Sequence, residues 1–412
     1  MEKYSLDKCR ICNSEVKRFL DLGATHPPEE FRTKEELSKP IETFPLGLSY
    51  CVACGQVQLS HEIPPDVMYK QNYFYDYSIT MQSNKHYTEL SNLIMERFKP
   101  AKSDLIVDIG SNTGKLLWMF QNMGFTVQGI DPATKLVKIA RENGIPTIDS
   151  YFGESAAQQV VNEKHTKAKV ITCNNVFDHV TDLYAYMKGI NVLLDPEGVF
   201  IVEDPYFLTF FQTLNHVVYH QQLDYLLVKP FSKLFDATGM ELFDCEKIPY
   251  HGGSIRLFIG FKGKHKVSDN VKKFIQGEEK EILNNEPKAL EQWAKEIIKQ
   301  KDDLANMLHK LKAEGKSIAG VGMSAKGNVL LFYSGLGPET FDFITEQSDL
   351  KVGRYTPLGV PIVSESELVK RQPDYAVVLA WNFTDDIYRK FQDYKNAGGK
   401  FIMPIPKLKI VE

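Results

Sequence analysis

Seven residues, Asp108-Ile109-Gly110-Ser111-Asn112-Thr113-Gly114, constrain this chain most. They follow the apolar run Leu105-Ile106-Val107 and lead into Lys115-Leu116-Leu117-Trp118-Met119-Phe120. That order predicts strand, tight turn and helix. A second apolar run, Phe125 to Ile130, ends in Asp131. An acidic residue about 20 positions past a glycine turn is placed to accept hydrogen bonds from a ribose. Glycine lets the backbone approach a ligand closely, because no Cβ intervenes. The expectation is an adenosine-type cofactor at the end of an α/β sheet.

The spacing narrows the cofactor. A nicotinamide dinucleotide prefers G-x-G-x-x-G, with backbone amides on a pyrophosphate. Here Asn112 stands where the middle glycine would be, between Gly110 and Gly114. Asp108 at the strand end would repel a pyrophosphate but suits the cationic amino-acid portion of S-adenosylmethionine. A methyl-donor site is the reading.

Four of the six cysteines form two pairs, Cys9-x-x-Cys12 and Cys51-x-x-Cys54. Two such knuckles about forty residues apart fit one tetrahedral four-thiolate zinc site. Two disulfides are the alternative, disfavoured in a reducing compartment. Four protein ligands leave the ion no open position, so its role should be structural. Cys173 and Cys245 sit in apolar contexts and read as core residues.

The charge of −4 gives no support for general nucleic-acid binding. The N-terminus lacks a signal-peptide apolar core, and no apolar run is long enough to span a bilayer. A cytoplasmic location without a membrane partner is expected.

The 412 residues should hold two or three domains. Residues 1–70 form the cysteine module. Residues 71–250 carry strand–helix alternation through Leu105–Asp108, Val127–Asp131, Val170–Cys173 and Gly198–Glu203, as a parallel sheet requires. The pattern restarts at 251. A Lys/Glu-rich helical stretch from Val267 to Lys316 breaks near Pro287 and leads to a second nucleotide-fold turn, Gly322 to Asn328. Strands near Ser317–Val321, Phe341–Ile344, Ala376–Ala380 and Phe401–Met403 complete a C-terminal α/β unit, 251–412.

Taken in order, these pieces resemble the sugar C-methyltransferases that act on nucleotide-linked 4-ketosugars in deoxysugar biosynthesis. The resemblance rests on the paired knuckles, the turn at Asp108–Asn112, and Asn174-Asn175-Val176-Phe177-Asp178-His179. It continues through His251-Gly252-Gly253-Ser254-Ile255-Arg256, Gly320–Asn328, Lys351-Val352-Gly353-Arg354-Tyr355, Pro373–Phe383 and Gly398–Ile402. It implies a zinc module, a central Rossmann-like S-adenosylmethionine domain and a Rossmann-like C-terminal domain, with the nucleotide-sugar between the last two. Asp108, Gly110, Asp131, Asn174 and Asn175 would then face the methyl donor, together with Asn112 and Gly114 of the turn. Tyr75 would lie in the active site, and Ser324, Lys326 and Asn328 would meet the diphosphate. Residue chemistry agrees for the last group: Lys326 supplies a cation and the Gly322–Gly327 loop exposes amides. Arg354 suits a bidentate phosphate contact.

The chain departs from that family at one motif. Where its members carry Tyr-His-Glu-His, this sequence reads Tyr219-His220-Gln221-Gln222. Methylating carbon beside a ketone requires a base that titrates near neutral pH, which an amide is not. His220, or His216 one helical turn before it, could serve instead. Equally, the acceptor could be oxygen or nitrogen, with Gln221 and Gln222 serving recognition. Tyr219, His179 at the cofactor end of the sheet and His251 before its glycine pair complete the candidates. Two other functions compete: a nicotinamide-dependent epimerase or dehydrogenase, and a nucleotide-sugar-binding protein that has lost methyl transfer.

Overall fold

The computed structural model describes residues 4–69, 81–216, 218–285 and 287–411, and Tyr75 lies outside them. Three sheets organise these residues. The central one has seven strands in the order Met240–Ile248, Ser254–Phe261, Leu194–Pro205, Ala168–Asn174, Leu105–Ile109, Thr126–Asp131, Thr147–Asp149. Only Ser254–Phe261 runs antiparallel to its neighbours. Leu105–Ile109 is buried at every position, as expected of a strand covered by helices on both faces. The expected boundary at residue 250 falls inside this sheet, because Ser254–Phe261 pairs with Leu194–Pro205. A continuous apolar run cannot by itself reveal which sheet it joins.

The N-terminal residues form an antiparallel sheet from Val16–Thr25, Phe44–Cys51 and Val57–Leu59. The short strand Asp224–Tyr225, from the middle of the chain, adds to its edge. Its buried side chains Leu46, Leu48 and Val57 join one apolar core with Leu105, Phe177 and Phe231 of the central unit. The C-terminal sheet has the order Ile362–Ser364, Phe343–Glu346, Ile318–Val321, Tyr375–Val378, Lys400–Met403, Lys409–Val411, and only the last strand is antiparallel.

The Lys/Glu-rich stretch folds as Asp269–Glu278 and a long helix, Lys288–Ala313, starting beside Pro287 where the break was expected. More than a solvated face, this long helix buries Trp293 and Ile297 in the first core and Leu304, Leu308 and Leu311 in the C-terminal one. It therefore works as a strut between the lobes. No helix among the described residues is long and apolar enough to cross a membrane.

Candidate active site between the lobes

Cys9, Cys12, Cys51 and Cys54 converge at the edge of the N-terminal sheet, their sulfurs all within 4.8 Å of one another. Cys9 Sγ lies 3.5 Å from Cys54 Sγ, and Cys12 Sγ 3.4 Å from Cys51 Sγ. A zinc–sulfur bond of about 2.3 Å in a tetrahedron sets sulfurs about 3.8 Å apart, so the cluster fits the ion. The amides of Ile11 and Cys12 point at Cys9 Sγ and that of Ala53 at Cys51 Sγ, which stabilises thiolate charge. Between the first two ligands, Arg10 donates to Asp224 Oδ2 at 3.0 Å and to the carbonyl of Val180. Tyr184 Oη donates to the Ile11 carbonyl at 2.7 Å. The zinc knuckle thus grips the segment that carries His179.

A cavity of about 640 Å³ runs from the C-terminal ends of the central strands to the C-terminal lobe. This is where open parallel sheets bind ligands. Its central wall includes Gly110, Asn112, Asp131, Asn174 and Asn175. Gly110 has φ +72°, and a Cβ there would meet Val176 Cγ2 at 2.3 Å, so the turn requires glycine. Asp131 Oδ2 accepts from the Asn112 amide and Oδ1 from the Ala133 amide, both at 2.8 Å. Burial raises its carboxyl to about 6. Asn174 Oδ1 is buried without a hydrogen-bond partner among the described residues.

Two of the turn residues expected at the cofactor lie off this surface. Asp108 is buried beneath it, takes a 2.6 Å hydrogen bond from Thr172 Oγ1, and is raised to about 7 by burial. It underlies the wall rather than lining it. Gly114 is likewise not part of the lining; its φ is +79° and a Cβ there would press on Ile145 at 2.9 Å, so backbone and packing both require glycine.

The opposite wall includes Tyr219, Gln221, Gln222, His251, Ser324 and Lys326. Gln222 is 1% exposed, and neither amide atom has a hydrogen-bond partner among the described residues. Lys326 Nζ is buried 4.3 Å from the Trp381 ring centroid, also without a hydrogen-bond partner among them. Burial pulls its ammonium well below the usual lysine range. Ser324 caps the helix Ala325–Tyr333 by accepting from the Gly327 amide. His251 lines the cavity with its ring lowered to about 3 by burial, then by Lys326.

Four sequence expectations are corrected by this geometry. His220 is not in the lining: its Nε2 faces the Pro45 carbonyl at 3.2 Å and its Nδ1 faces Thr25 Oγ1 at 3.4 Å. Burial lowers it to about 4, too weak for a base near neutral pH. His216 is also buried outside the cavity, beside Trp293, and residues 214–216 and 218–222 are turns and loop, so the helical spacing does not apply. Asn328 donates to the carbonyls of Pro28 and Glu30, stapling the N-terminal segment to the C-terminal lobe. Arg354 does the same through the Phe31 carbonyl.

Sequence reasoning missed two residues here. Asp178 lines the cavity beside His179, and Asp204, at the end of the strand Leu194–Pro205, hydrogen-bonds it from below. The available signal was position, since acidic residues at the carboxyl ends of parallel strands face the ligand crevice.

Three family models match consecutive parts of the chain: a zinc binding domain over residues 9–69, a methyltransferase domain over 81–243, and a C-methyltransferase C-terminal domain over 249–406. C-methyltransferase NovU of Streptomyces niveus is 29% identical, covering 98% of this chain and 97% of that protein. A ubiquinone biosynthesis O-methyltransferase of Actinobacillus pleuropneumoniae is 32% identical over 27% of this chain and 47% of its own length. Among solved structures, magnesium protoporphyrin IX methyltransferase of Synechocystis, with bound S-adenosylmethionine, matches 43% of this chain and 80% of that one at 14% identity and TM-score 0.33. Three domains in the same order, together with near full-length similarity to one relative, leave one assignment. These matches support the C-methyltransferase family with an N-terminal zinc module, and the chain is an S-adenosylmethionine-dependent methyltransferase.

Proposed function

We propose that this methyltransferase acts on a nucleotide-activated sugar held between the central and C-terminal lobes. The observation that carries the reading is the cavity's continuity from Asp131 and Asn174 to Ser324 and Lys326. S-adenosylmethionine supplies an electrophilic methyl group on a sulfonium. Asn174 Oδ1 is free to accept from its ammonium, and the Asp131 oxygens retain lone pairs for ribose hydroxyls. Asn112 and Asn175 complete that wall, which holds the donor while the lobes exclude water.

Across the cavity, Lys326 and the amides at the start of the helix Ala325–Tyr333 suit a diphosphate. A phosphate oxygen would give Lys326 Nζ the partner it lacks and favour its charged form. Gln222 would orient the sugar, with Tyr219, Gln221 and His251 beside it. Because Gln221 and Gln222 replace the family's Glu-His pair, transfer to sugar oxygen or nitrogen stands beside transfer to carbon.

Titration calorimetry separates the two halves of the reading. The protein should bind S-adenosylhomocysteine and, independently, uridine or thymidine diphosphate. Lys326→Ala should weaken the diphosphate by about 1.5–3 kcal/mol, the range for hydrogen bonds to charged groups, and spare the homocysteine ligand. Diphosphate affinity equal to wild type in that variant would overturn the placement. Incubation of labelled S-adenosylmethionine with a panel of sugar nucleotides should then give methylated sugar and S-adenosylhomocysteine.

A further inference from the structure

Two side-chain amides in the cavity lining have unfinished hydrogen bonding, and only one of them has so far been given a role. Gln222 is buried, and neither its Oε1 nor its Nε2 has a hydrogen-bond partner among the described residues. Nothing holds that amide in one orientation, so it is able to turn toward a ligand. The second is Asn382, in the turn Trp381–Phe383 of the C-terminal lobe. Its Nδ2 donates to the His251 carbonyl at 3.0 Å, which settles which way the amide points. Its Oδ1 is then left buried with no partner among the described residues. A Cβ on Gly252 would come within 2.5 Å of Asn215 Nδ2 and 3.3 Å of Asn382 Oδ1, so the glycine keeps the space beside that oxygen open.

Amides with a purely structural role close on the backbone, as Asn328 does on the carbonyls of Pro28 and Glu30. Here three buried atoms stay unmet, and that is costly in the empty protein. Two of them, Gln222 Oε1 and Asn382 Oδ1, accept hydrogen bonds, and Gln222 Nε2 donates. An ammonium has protons for the two oxygens but no lone pair for Nε2. A ketone or carboxylate serves Nε2 but has no proton for either oxygen. A ring carbon without oxygen serves none of the three. A hydroxyl donates and accepts at once. Two hydroxyls on neighbouring carbons therefore satisfy the set. One donates to Gln222 Oε1, while the other accepts from Gln222 Nε2 and donates to Asn382 Oδ1. Phe383, next in the turn, adds an aromatic side chain to the lining, suited to the C–H face of a sugar ring.

We propose that Gln222 and Asn382 are specificity-determining residues that select an acceptor hexose keeping a vicinal pair of ring hydroxyls. This rests on the nucleotide-sugar reading above and states which members of that class fit. In a sugar nucleotide the diphosphate separates the hexose from the nucleotide's ribose, and the hexose is the part that must meet the methyl donor. Gln222 faces the donor wall across the cavity, so the diol it takes belongs to the hexose. Both residues bind and orient; neither moves a proton.

The test is calorimetry on full-length zinc-loaded protein saturated with S-adenosylhomocysteine. The ligands are thymidine diphosphate and its glucose, galactose, mannose and rhamnose conjugates. The best-bound conjugate should exceed thymidine diphosphate by about tenfold or more, as a few added hydrogen bonds allow. Its 3-deoxy analogue, which has no adjacent pair left on the ring, should lose that gain. Gln222→Met keeps the side-chain length without its hydrogen bonding. It should also lose the gain while holding thymidine diphosphate within about twofold of wild type. Asn382→Ala should reduce the gain as well, with Tm reporting its separate bond to the His251 carbonyl. A gain kept by the 3-deoxy analogue, or kept by both variants, overturns the proposal, as does the absence of any gain in the wild type. A preference for uridine diphosphate over its 2′-deoxy form that Gln222→Met removes would put the diol on the nucleotide ribose and overturn the hexose assignment. Failure of thymidine and uridine diphosphate alike to bind the wild type would count instead against the nucleotide-sugar reading itself.

Discussion

The charged groups on the two walls of the cavity are treated in opposite ways. Asp131, on the glycine-turn wall, has both carboxylate oxygens occupied by backbone amides of its own loop. Lys326, on the facing wall, has its ammonium buried against an indole and no hydrogen bond among the described residues. Gln222 beside it is in the same condition. The first wall is a finished mould, with its geometry fixed before any ligand arrives. The second carries unmet hydrogen-bonding capacity, which lowers stability in the empty protein and is relieved only by a ligand of matching chemistry. The donor is common to a large class of enzymes while the acceptor is particular, and apart from Asn174 Oδ1 on the donor wall the unmet groups named here lie on the particular side.

Removing zinc should break this contrast most severely, because it strikes a segment common to both walls. Structural zinc contributes on the order of 10 kcal/mol to small modules, comparable with the roughly 5–15 kcal/mol that holds a whole domain folded. Chelation or Cys12→Ser should therefore unfold the module. Arg10 and Ile11 would lose their hold on the Val180 carbonyl and on Tyr184. The expected outcome is a large fall in Tm together with loss of affinity for S-adenosylhomocysteine and diphosphate alike. If Tm falls but both affinities survive, the knuckle does not brace the cavity.

How much of this was legible in the sequence depends on how far apart the deciding residues lie. The glycine turn is fixed by its own neighbours: Gly110 at positive φ, the Asn112 amide on Asp131, and the strand Leu105–Ile109 before it. The cysteine knuckles are equally local, each pair sharing one turn. Three of the four errors share one cause, the N-terminal segment folding back across the chain, while His216 is taken up by Trp293 of the long helix. His220 meets Pro45, 175 residues away, Asn328 meets Pro28 at a separation of 300, and Arg354 meets Phe31 at 323. Each carried a residue type suited to catalysis or phosphate binding, and each spends it on holding that segment. Asp204 was missed for the converse reason, since a carboxyl at a strand end looks solvated until its burial under Asp178 is seen.

An intermediate effect isolates the finished wall. Asp131→Ala should weaken S-adenosylhomocysteine by about 1–3 kcal/mol and leave diphosphate affinity alone. The same residue gives a pH signature. Its carboxyl is raised to about 6, so it is ionised above that value and protonated below it. The ionised form is the better acceptor for ribose hydroxyls. Affinity for S-adenosylhomocysteine should therefore fall as pH drops through 6, and Asp131→Asn should abolish that dependence. A pH-independent affinity between 5 and 7 in the wild type would remove Asp131 from the donor site.

The smallest expected effect is the most discriminating. Gln222→His introduces an imidazole where the Tyr-His-Glu-His motif of the resembled sugar C-methyltransferases has one, on the wall facing the glycine turn. The Gln222 side chain makes no hydrogen bond to any described residue, so replacing it breaks none. Because the Asp131 loop closes its own hydrogen bonds, S-adenosylhomocysteine affinity measured by calorimetry should stay within about a factor of two, a few tenths of a kcal/mol. A collapse of that affinity would mean the two walls are not independent, and the donor would then have to reach Gln222 itself. Unchanged affinity with altered diphosphate or sugar binding would place Gln222 among the groups that choose the acceptor. The substitution thus reports on the partition of the cavity, separately from whether the new imidazole can serve as a base.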